Sequence, residues 1–511
     1  METSYNAATD LVDRHLHEGR AEKAAFIDAN GTFTYGELAA SCNRMANLLT
    51  AVGIPREMRI ALLLHDTRDF PVAFWGAVKA GIVPVALNTL LTAEQYRYIL
   101  ADSRARALVV SASLLPMIEP ILDRLPFIER IFVSGGTAPP RMCNLATELA
   151  AQQPEFATVA TSPDETAFWL YSSGSTGMPK GVRHIHTSLM ETARLYGQAV
   201  LGIHEDDVCF SAAKLFFAYG LGNGMTFPLS VGATTILLAE RPTPEAVFAT
   251  LRKHQPTIFY GVPTLYAAML AHPGSGPDLS SARLRACVSA GEALPAEVGE
   301  AWRRRFGVDI LDGVGSTEML HIYVSNRPDD IRYGASGKPV DGYRVRLIDE
   351  ESREVAAGEV GEMIVSGPSA AEGYWNQRDK SRRTFEGEWM RTGDKYVRDA
   401  DGYYTYQGRT DDMFKVSGIW VSPFEVESAL VAHPAVLEAA VVPREDADGL
   451  LKPRAVVVLK PGASPDGLIP ALQEHVKAKA GPWKYPRWVE FAESLPKTAT
   501  GKIQRFKLRE G

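Results

Sequence analysis

No stretch of this 511-residue chain approaches the roughly 18 to 20 consecutive apolar residues that cross a bilayer, and even the run ALVV at 107–110 is soon broken by serines. The N-terminal METSYNAATDLVDRHLHEG also lacks the apolar segment of a secretory signal. A cytoplasmic protein with no membrane partner is therefore expected. Cysteine is scarce: Cys42, Cys143, Cys209 and Cys287 are widely scattered, with no CxxC and no histidine pair at metal spacing. That excludes a disulfide scaffold and a zinc centre, and leaves four reduced, structural thiols. Positive charge is never concentrated, since no block of five or more lysines and arginines occurs and the net charge is only −7. A nucleic-acid partner is not expected from such a surface.

What is present is an ordinary soluble mixture, 46% hydrophobic and 23% charged, in a chain too long for one typical domain. Short β-rich runs at 59–64, 107–112, 130–135 and 234–239 alternate with helix-like stretches, the pattern of α/β layers with buried, largely parallel strands. FPVAFWGAVKAG (70–81) is apolar at helical spacing and ends in a glycine suited to a C-cap, which predicts a core helix. Strand-like runs return at 257–263, 285–291 and 308–315, each ending in a glycine-containing turn, where ligands gather in open α/β sheets. Segments 345–349, 362–367 and 401–409 read as antiparallel β, and PGSGPD (273–278) as a surface loop. Beyond about 409–412 the pattern becomes strand (435–442), strand (453–459), helix (467–480) and strand (487–492), enough for a small α+β unit.

The sharpest local feature is YSSGSTGMPKGV, Tyr171 to Val182. Small residues let backbone approach a ligand closely, hydroxyls and N–H groups can donate to phosphate oxygens, and Lys180 adds a cation. This is not the P-loop pattern, because Gly181 follows Lys180 where Ser or Thr is required.

The loop resembles the signature of the adenylate-forming superfamily, which includes acyl- and aryl-CoA ligases, luciferases and adenylation domains. SAGEALP (289–295), GSTE (315–318), RTGD (391–394), GRTDDMFKVSGIWVSPFEVE (408–427) and PKTATGKIQR (496–505) follow in the family's order, so the resemblance spans nearly the whole chain. KLFFAYGLGN (214–223) with GSTEMLHIYVSN (315–326) is most similar to the benzoate-CoA and 4-hydroxybenzoate-CoA ligase group. The resemblance implies a large multi-layer N-terminal domain, residues 1–410, built of α/β subdomains plus a distorted β-barrel. A small mobile α+β C-terminal domain, residues 411–511, would follow.

It also implies site residues. Ser172, Ser173, Gly174, Ser175, Thr176, Gly177 and Lys180 would hold the β- and γ-phosphates of ATP, and Thr317 and Glu318 the α-phosphate and Mg²⁺, a hard cation suited to a carboxylate. Gly291, Glu292 and Asp312 would border the adenine; Asp394, with Arg409 nearby, would bind the ribose. One departure stands out: many relatives have an aromatic residue where Val314 and Gly315 lie here. Lys502 would supply the cation that lets a carboxylate attack the α-phosphate. Asp411 would be the hinge about which the C-terminal domain turns, exchanging Lys502 for a coenzyme A-facing segment with Lys415, Ser417, Gly418 and Trp420.

Carried over in the same way, Phe217, Ala218, Tyr219, Gly315, His321 and Ile322 would line the acid pocket, a flat apolar slot suited to an aromatic carboxylate. The reading is an ATP-dependent aryl-CoA ligase acting on benzoate or a hydroxybenzoate. The alternatives are an adenylation enzyme that loads a carrier-protein pantetheine thiol, a luciferase-like oxidase of the adenylate, and a noncatalytic nucleotide binder. A homodimer is compatible with the sequence.

Overall fold

Strands that are apolar on both faces are stable only where other layers cover both sides of a sheet. In the computed structural model of the chain, which describes residues 4–172, 178–410, 412–416, 419–447, 450–497 and 503–509, they assemble into two large mixed sheets. The first has eight strands in the order Gly373–Tyr374, Lys180–Ile185, Thr166–Ser172, Val83–Ala86, Arg59–Leu63, Ala107–Ser111, Arg130–Ser134 and Cys143–Asn144. Pairing is parallel from Thr166–Ser172 onward and antiparallel for the first three strands. Arg59–Leu63, Val83–Ala86 and Ala107–Ser111 are buried at every position, as their unbroken apolar character requires.

The second sheet has nine strands: Lys338–Pro339, Ile322–Ser325, Ile310–Gly315, Ala286–Ser289, Ile258–Gly261, Val208–Ser211, Thr234–Ile236, Ala24–Asp28 and Gly31–Thr34. Its core runs parallel. Val208–Ser211 lies between the two strands that follow it in sequence, so the strand order reverses there. Crevices open beyond the C-terminal strand ends at such a reversal.

Two helices show why the covering layer forms. Tyr35–Ala51 starts at a capping box, in which the Thr34 hydroxyl accepts from the Glu37 N–H and the Glu37 carboxylate accepts from the Thr34 N–H. Asp69–Lys79, the helix predicted over 70–81, is buried along nearly its whole length. The predicted terminal glycine, Gly81, has φ +67°, a conformation glycine adopts freely. The two helices touch at Gly76, where an added Cβ would lie 2.5 Å from Met45 Cβ and 2.9 Å from the Cys42 carbonyl oxygen.

The predicted antiparallel segments form one five-stranded sheet: Arg344–Ile348, Val360–Ser366, Trp389–Arg398, Phe385–Glu386 and Tyr404–Arg409. Among the described residues no closed barrel forms. Closure requires the two edges of a sheet to meet. The outer edge of Trp389–Arg398 is instead shared between Phe385–Glu386 and Tyr404–Arg409, and among the described residues Arg344–Ile348 has Val360–Ser366 as its only strand partner. The sheet is open. A smaller difference is a short helical turn, Pro277–Leu279, at the end of the predicted surface loop.

The small C-terminal domain has the predicted α+β composition. Val436–Glu445, Leu451–Leu459 and Trp488–Phe491 form its sheet, and helices Pro423–Val431 and Leu468–Ala480 accompany it. Phe414, Val426, Leu430, Val457, Leu472 and Val476 make a core separate from those of the large domain. The four cysteines are free thiols, three of them buried. No helix among the described residues is long and apolar enough to cross a membrane.

Gly76→Ala places a methyl group where two helices already touch. Overpacking of this kind costs about 1–3 kcal/mol, so the large domain's thermal unfolding midpoint falls in calorimetry, while that of the C-terminal domain stays put.

Candidate active site

Strands Thr166–Ser172 and Lys180–Ile185 are adjacent and antiparallel, and Ser172 and Lys180 are direct cross-strand partners. The flanks of the signature loop are thus held side by side by the sheet. Both side chains converge on Glu318, which follows the C-terminal end of strand Ile310–Gly315. The Ser172 hydroxyl donates to Glu318 Oε1 at 3.3 Å, and the Lys180 ammonium lies 3.9 Å from the same oxygen. A residue outside the predicted set completes the cluster. Tyr374 donates its hydroxyl to Glu318 Oε1 at 2.9 Å, and Lys180 Nζ sits 4.2 Å from the centre of its ring. Burial pulls the Lys180 ammonium below its ordinary pKa, Glu318 opposes this, and Lys380 and Arg409 add to the depression.

The neighbouring Thr317 is fixed by another residue the sequence reading passed over. His184 Nε2 lies 2.8 Å from the Thr317 carbonyl oxygen, so that nitrogen carries the proton. Its ring stacks on Phe168 at 5.1 Å, and burial lowers its pKa to about 4. Because strand side chains alternate, Lys180, Val182 and His184 share one face. That spacing was the available signal for His184.

Asp394 and Arg409 are cross-strand partners in the open sheet, and Arg409 Nη1 donates to Asp394 Oδ1 at 2.9 Å and to the Thr392 carbonyl at 3.0 Å. Burial raises the phenol of Tyr323 well above the usual value, and the charges of Asp394 and Glu318 push the same way, against Arg409. Gly291 and Glu292 follow strand Ala286–Ser289, with Gly291 exposed at φ +94°. Asp312 lies on the adjacent strand, buried, its Oδ2 accepting weakly from the Leu294 N–H at 3.4 Å. Burial pushes its pKa up to about 8, against the opposing pull of that N–H.

Of the predicted acid-pocket residues, Tyr219, Gly315, His321 and Ile322 also come together. Tyr219, on the short helix Ala218–Leu221 that Phe217 caps, donates its hydroxyl to the carbonyls of Gly261 and Val288 at 3.2 and 3.1 Å. The buried His321 faces Tyr219 with ring centres 5.6 Å apart and meets Phe227 edge-on at 4.4 Å. Gly315 pairs across the sheet with Ile322, and an added Cβ at Gly315 would lie 2.5 Å from the His321 carbonyl oxygen. Only glycine fits there. Asn223, also absent from the predicted set, is fully buried with Oδ1 3.1 Å from His321 Nε2. Burial drives the His321 pKa down to about 3, so the ring is neutral at physiological pH.

Several predicted residues, Ser173, Gly174, Ser175, Thr176, Gly177, Asp411, Ser417, Gly418 and Lys502, lie outside the described residues. Lys415 and Trp420 are backbone partners in the hairpin of Phe414–Val416 and Ile419–Val421.

Comparison with known proteins accords with this arrangement. The profile of the AMP-binding enzyme family matches residues 13–375, and that of the AMP-binding enzyme C-terminal domain matches 425–502. The chain is 58% identical to a benzoate–CoA ligase of Thauera aromatica, over 99% of this chain and 96% of that protein. It is 57% identical to a 4-hydroxybenzoate–CoA/benzoate–CoA ligase of Rhodopseudomonas palustris, over 99% and 94%. Among solved structures, a benzoate CoA ligase from Burkholderia xenovorans LB400 superposes with a TM-score of 0.92 at 52% identity, over 99% of this chain and 100% of that one. The anthranilate CoA ligase AuaEII in complex with anthranoyl-AMP gives 0.97 at 44% identity, over 100% and 98%. With a family match over most of its length and relatives this similar from end to end, the chain belongs to the AMP-binding enzyme family.

Proposed function

We propose that the chain is an ATP-dependent aryl-CoA ligase that joins benzoate, or a close ring-substituted analogue, to coenzyme A. One observation carries the reading: a carboxylate, a hydroxyl and a partly desolvated ammonium meet at the flanks of the signature loop, in the same sheet system as an aromatic slot made by Tyr219, His321 and Ile322. The relatives named above act on benzoate and 4-hydroxybenzoate, which supports the substrate class.

In the first half-reaction a carboxylate oxygen of the acid attacks the α-phosphorus of ATP, and diphosphate leaves. In the second the coenzyme A thiol attacks the acyl carbon, its proton is lost, and AMP departs. Ser172 to Gly177 and Lys180 grip the β- and γ-phosphates, the N–H groups and hydroxyls donating and Lys180 balancing charge. Asp394 accepts from the ribose hydroxyls beside Arg409, while Gly291, Glu292 and Asp312 border the adenine. Glu318 fits Mg²⁺: a single hard carboxylate suits an ion that keeps several waters and takes its other ligands from phosphates. Mg²⁺ there would neutralise charge on the phosphate oxygens. Lys502 offers its ammonium to both anions as the bond forms, and Asp411 is the hinge of a domain boundary at 410/411. Turning about it exchanges Lys502 for Lys415, Ser417, Gly418 and Trp420, which face the pantetheine.

Three expectations follow for this reading. Lys502→Ala loses benzoyl-adenylate formation, by at least about 10² on the scale of one electrostatic group, yet still transfers preformed benzoyl-AMP to coenzyme A. Parallel loss of both steps, measured separately by diphosphate release and thioester formation, would refute the assignment. The Tyr219 hydroxyl is already committed to two carbonyls, so its proton is not available to a ring hydroxyl. An apolar site resists an added hydroxyl by only about 10², whereas a site built for one rejects its absence by about 10⁴ or more. Benzoate should therefore have the higher kcat/KM, with 4-hydroxybenzoate within about 10² of it; the reverse order would require a different pocket.

The third concerns Asp312. Its folded pKa of about 8 lies above the ordinary value of 3.8, so between those values the folded protein holds a proton that the unfolded chain has released. This carboxyl consequently subtracts stability progressively as pH rises from about 4 to about 8. Asp312→Asn removes that dependence, and its advantage in unfolding midpoint over the native protein grows from pH 5 to pH 8. A difference independent of pH would show that Asp312 is not held protonated.

A further inference from the structure

Three donors or cations meet one oxygen of Glu318. Ser172, Lys180 and Tyr374 all address Oε1, and among the described residues no hydrogen bond reaches Oε2. A carboxylate held by one oxygen presents the other in a defined direction. Of the three, Tyr374 makes the shortest contact with Glu318 and also touches Lys180, since its ring face lies beneath the ammonium. A cation over an aromatic face is attracted by the ring quadrupole, more strongly where water is partly excluded.

Tyr374 is itself firmly seated. Gly373–Tyr374 pairs with Arg183 and Val182 at the edge of the eight-stranded sheet, and the Glu372 and Trp375 N–H groups donate to the Arg183 and Gly181 carbonyls at 3.0 and 2.8 Å. The Tyr374 N–H donates to Ser381 Oγ at 3.0 Å, and its ring packs 5.6 Å from that of Phe385. Three residues earlier, the Ala371 N–H donates to the Glu318 carbonyl at 2.8 Å, so the same segment holds both the backbone and the carboxylate of Glu318. Burial, seconded by the Glu318 charge, keeps the phenol protonated and able to donate.

We infer that Tyr374 is a positioning residue of the nucleotide site: its hydroxyl turns Glu318 so that Oε2 faces the metal-bound phosphates, and its ring fixes where the Lys180 ammonium stands. One side chain thereby sets the spacing between the metal-facing anion and the phosphate-facing cation. This rests on the reading that Glu318 and Lys180 serve the nucleotide.

The test is equilibrium titration of ATP into the full-length enzyme, once with excess Mg²⁺ and once with EDTA, for the native protein, Tyr374→Phe, Tyr374→Leu and Glu318→Gln. Tyr374→Phe keeps the ring and removes the hydroxyl, with its hydrogen bonds to Glu318 and Thr384. It should weaken Mg²⁺-dependent ATP binding about tenfold and leave binding in EDTA within about twofold. Tyr374→Leu should weaken binding in EDTA as well, because Lys180 loses its seat. Since Tyr374→Phe preserves the packing, its thermal midpoint separates misfolding from mispositioning. Unaltered or tighter Mg²⁺-dependent binding in Tyr374→Phe, with Glu318→Gln strongly impaired, would overturn this inference alone. Unaltered binding in Glu318→Gln would instead overturn the underlying reading of the site.

Discussion

The Glu318 carboxylate is the constraint around which the site is organised. It follows a strand of one large sheet, and its partners Ser172, Lys180 and Tyr374 come from three adjacent strands of the other. A buried or half-buried carboxylate must be compensated by donors and cations, or it will take up a proton or destabilise the fold. Meeting that requirement helps to join the two sheets, beside the contacts of His184 with Thr317 and of Ala371 with the Glu318 backbone. It also leaves the signature loop leaving and re-entering the sheet beside a fixed anion.

The parallel strands of the second sheet account for where the remaining groups stand. Tyr219 follows Val208–Ser211, Gly291 follows Ala286–Ser289, and Glu318 follows Ile310–Gly315, while Gly261 ends its own strand and accepts from Tyr219. All lie at C-terminal strand ends, where neither the sheet nor its covering helices fill the space. The Tyr219 phenol supplies one donor to two of their carbonyls and turns its ring toward His321.

Much of this was legible before any coordinates. Runs such as 59–64, 107–112 and 285–291 are apolar at consecutive positions, which only doubly covered strands tolerate, and each became a buried parallel strand. Of the residues assigned to the acid slot, Tyr219, Gly315, His321 and Ile322 lie beside one another, whereas Phe217 and Ala218 pack into another core. Tyr374 was not found because it lies outside the quoted motifs, while His184, on the Lys180 face of its strand, and Asn223, at the end of 214–223, were passed over because each acts by holding a neighbour. The resemblance implied a distorted barrel; whether the first and last edges of the sheet meet is settled only when the strands pack, and among the described residues they do not.

What the sequence determined by itself is everything set by local spacing: the alternation of strands and helices, the core helix over 70–81, the glycine-rich loop before Lys180 and membership of the family. Only the tertiary structure decided that one oxygen of Glu318 takes every visible partner, that a tyrosine some two hundred residues beyond the loop supports its lysine, and that His321 is neutral. The physical reason is that charge state and orientation depend on what surrounds a group in space. Burial and distant donors are assembled only when the sheets pack, and no periodicity along the chain encodes them.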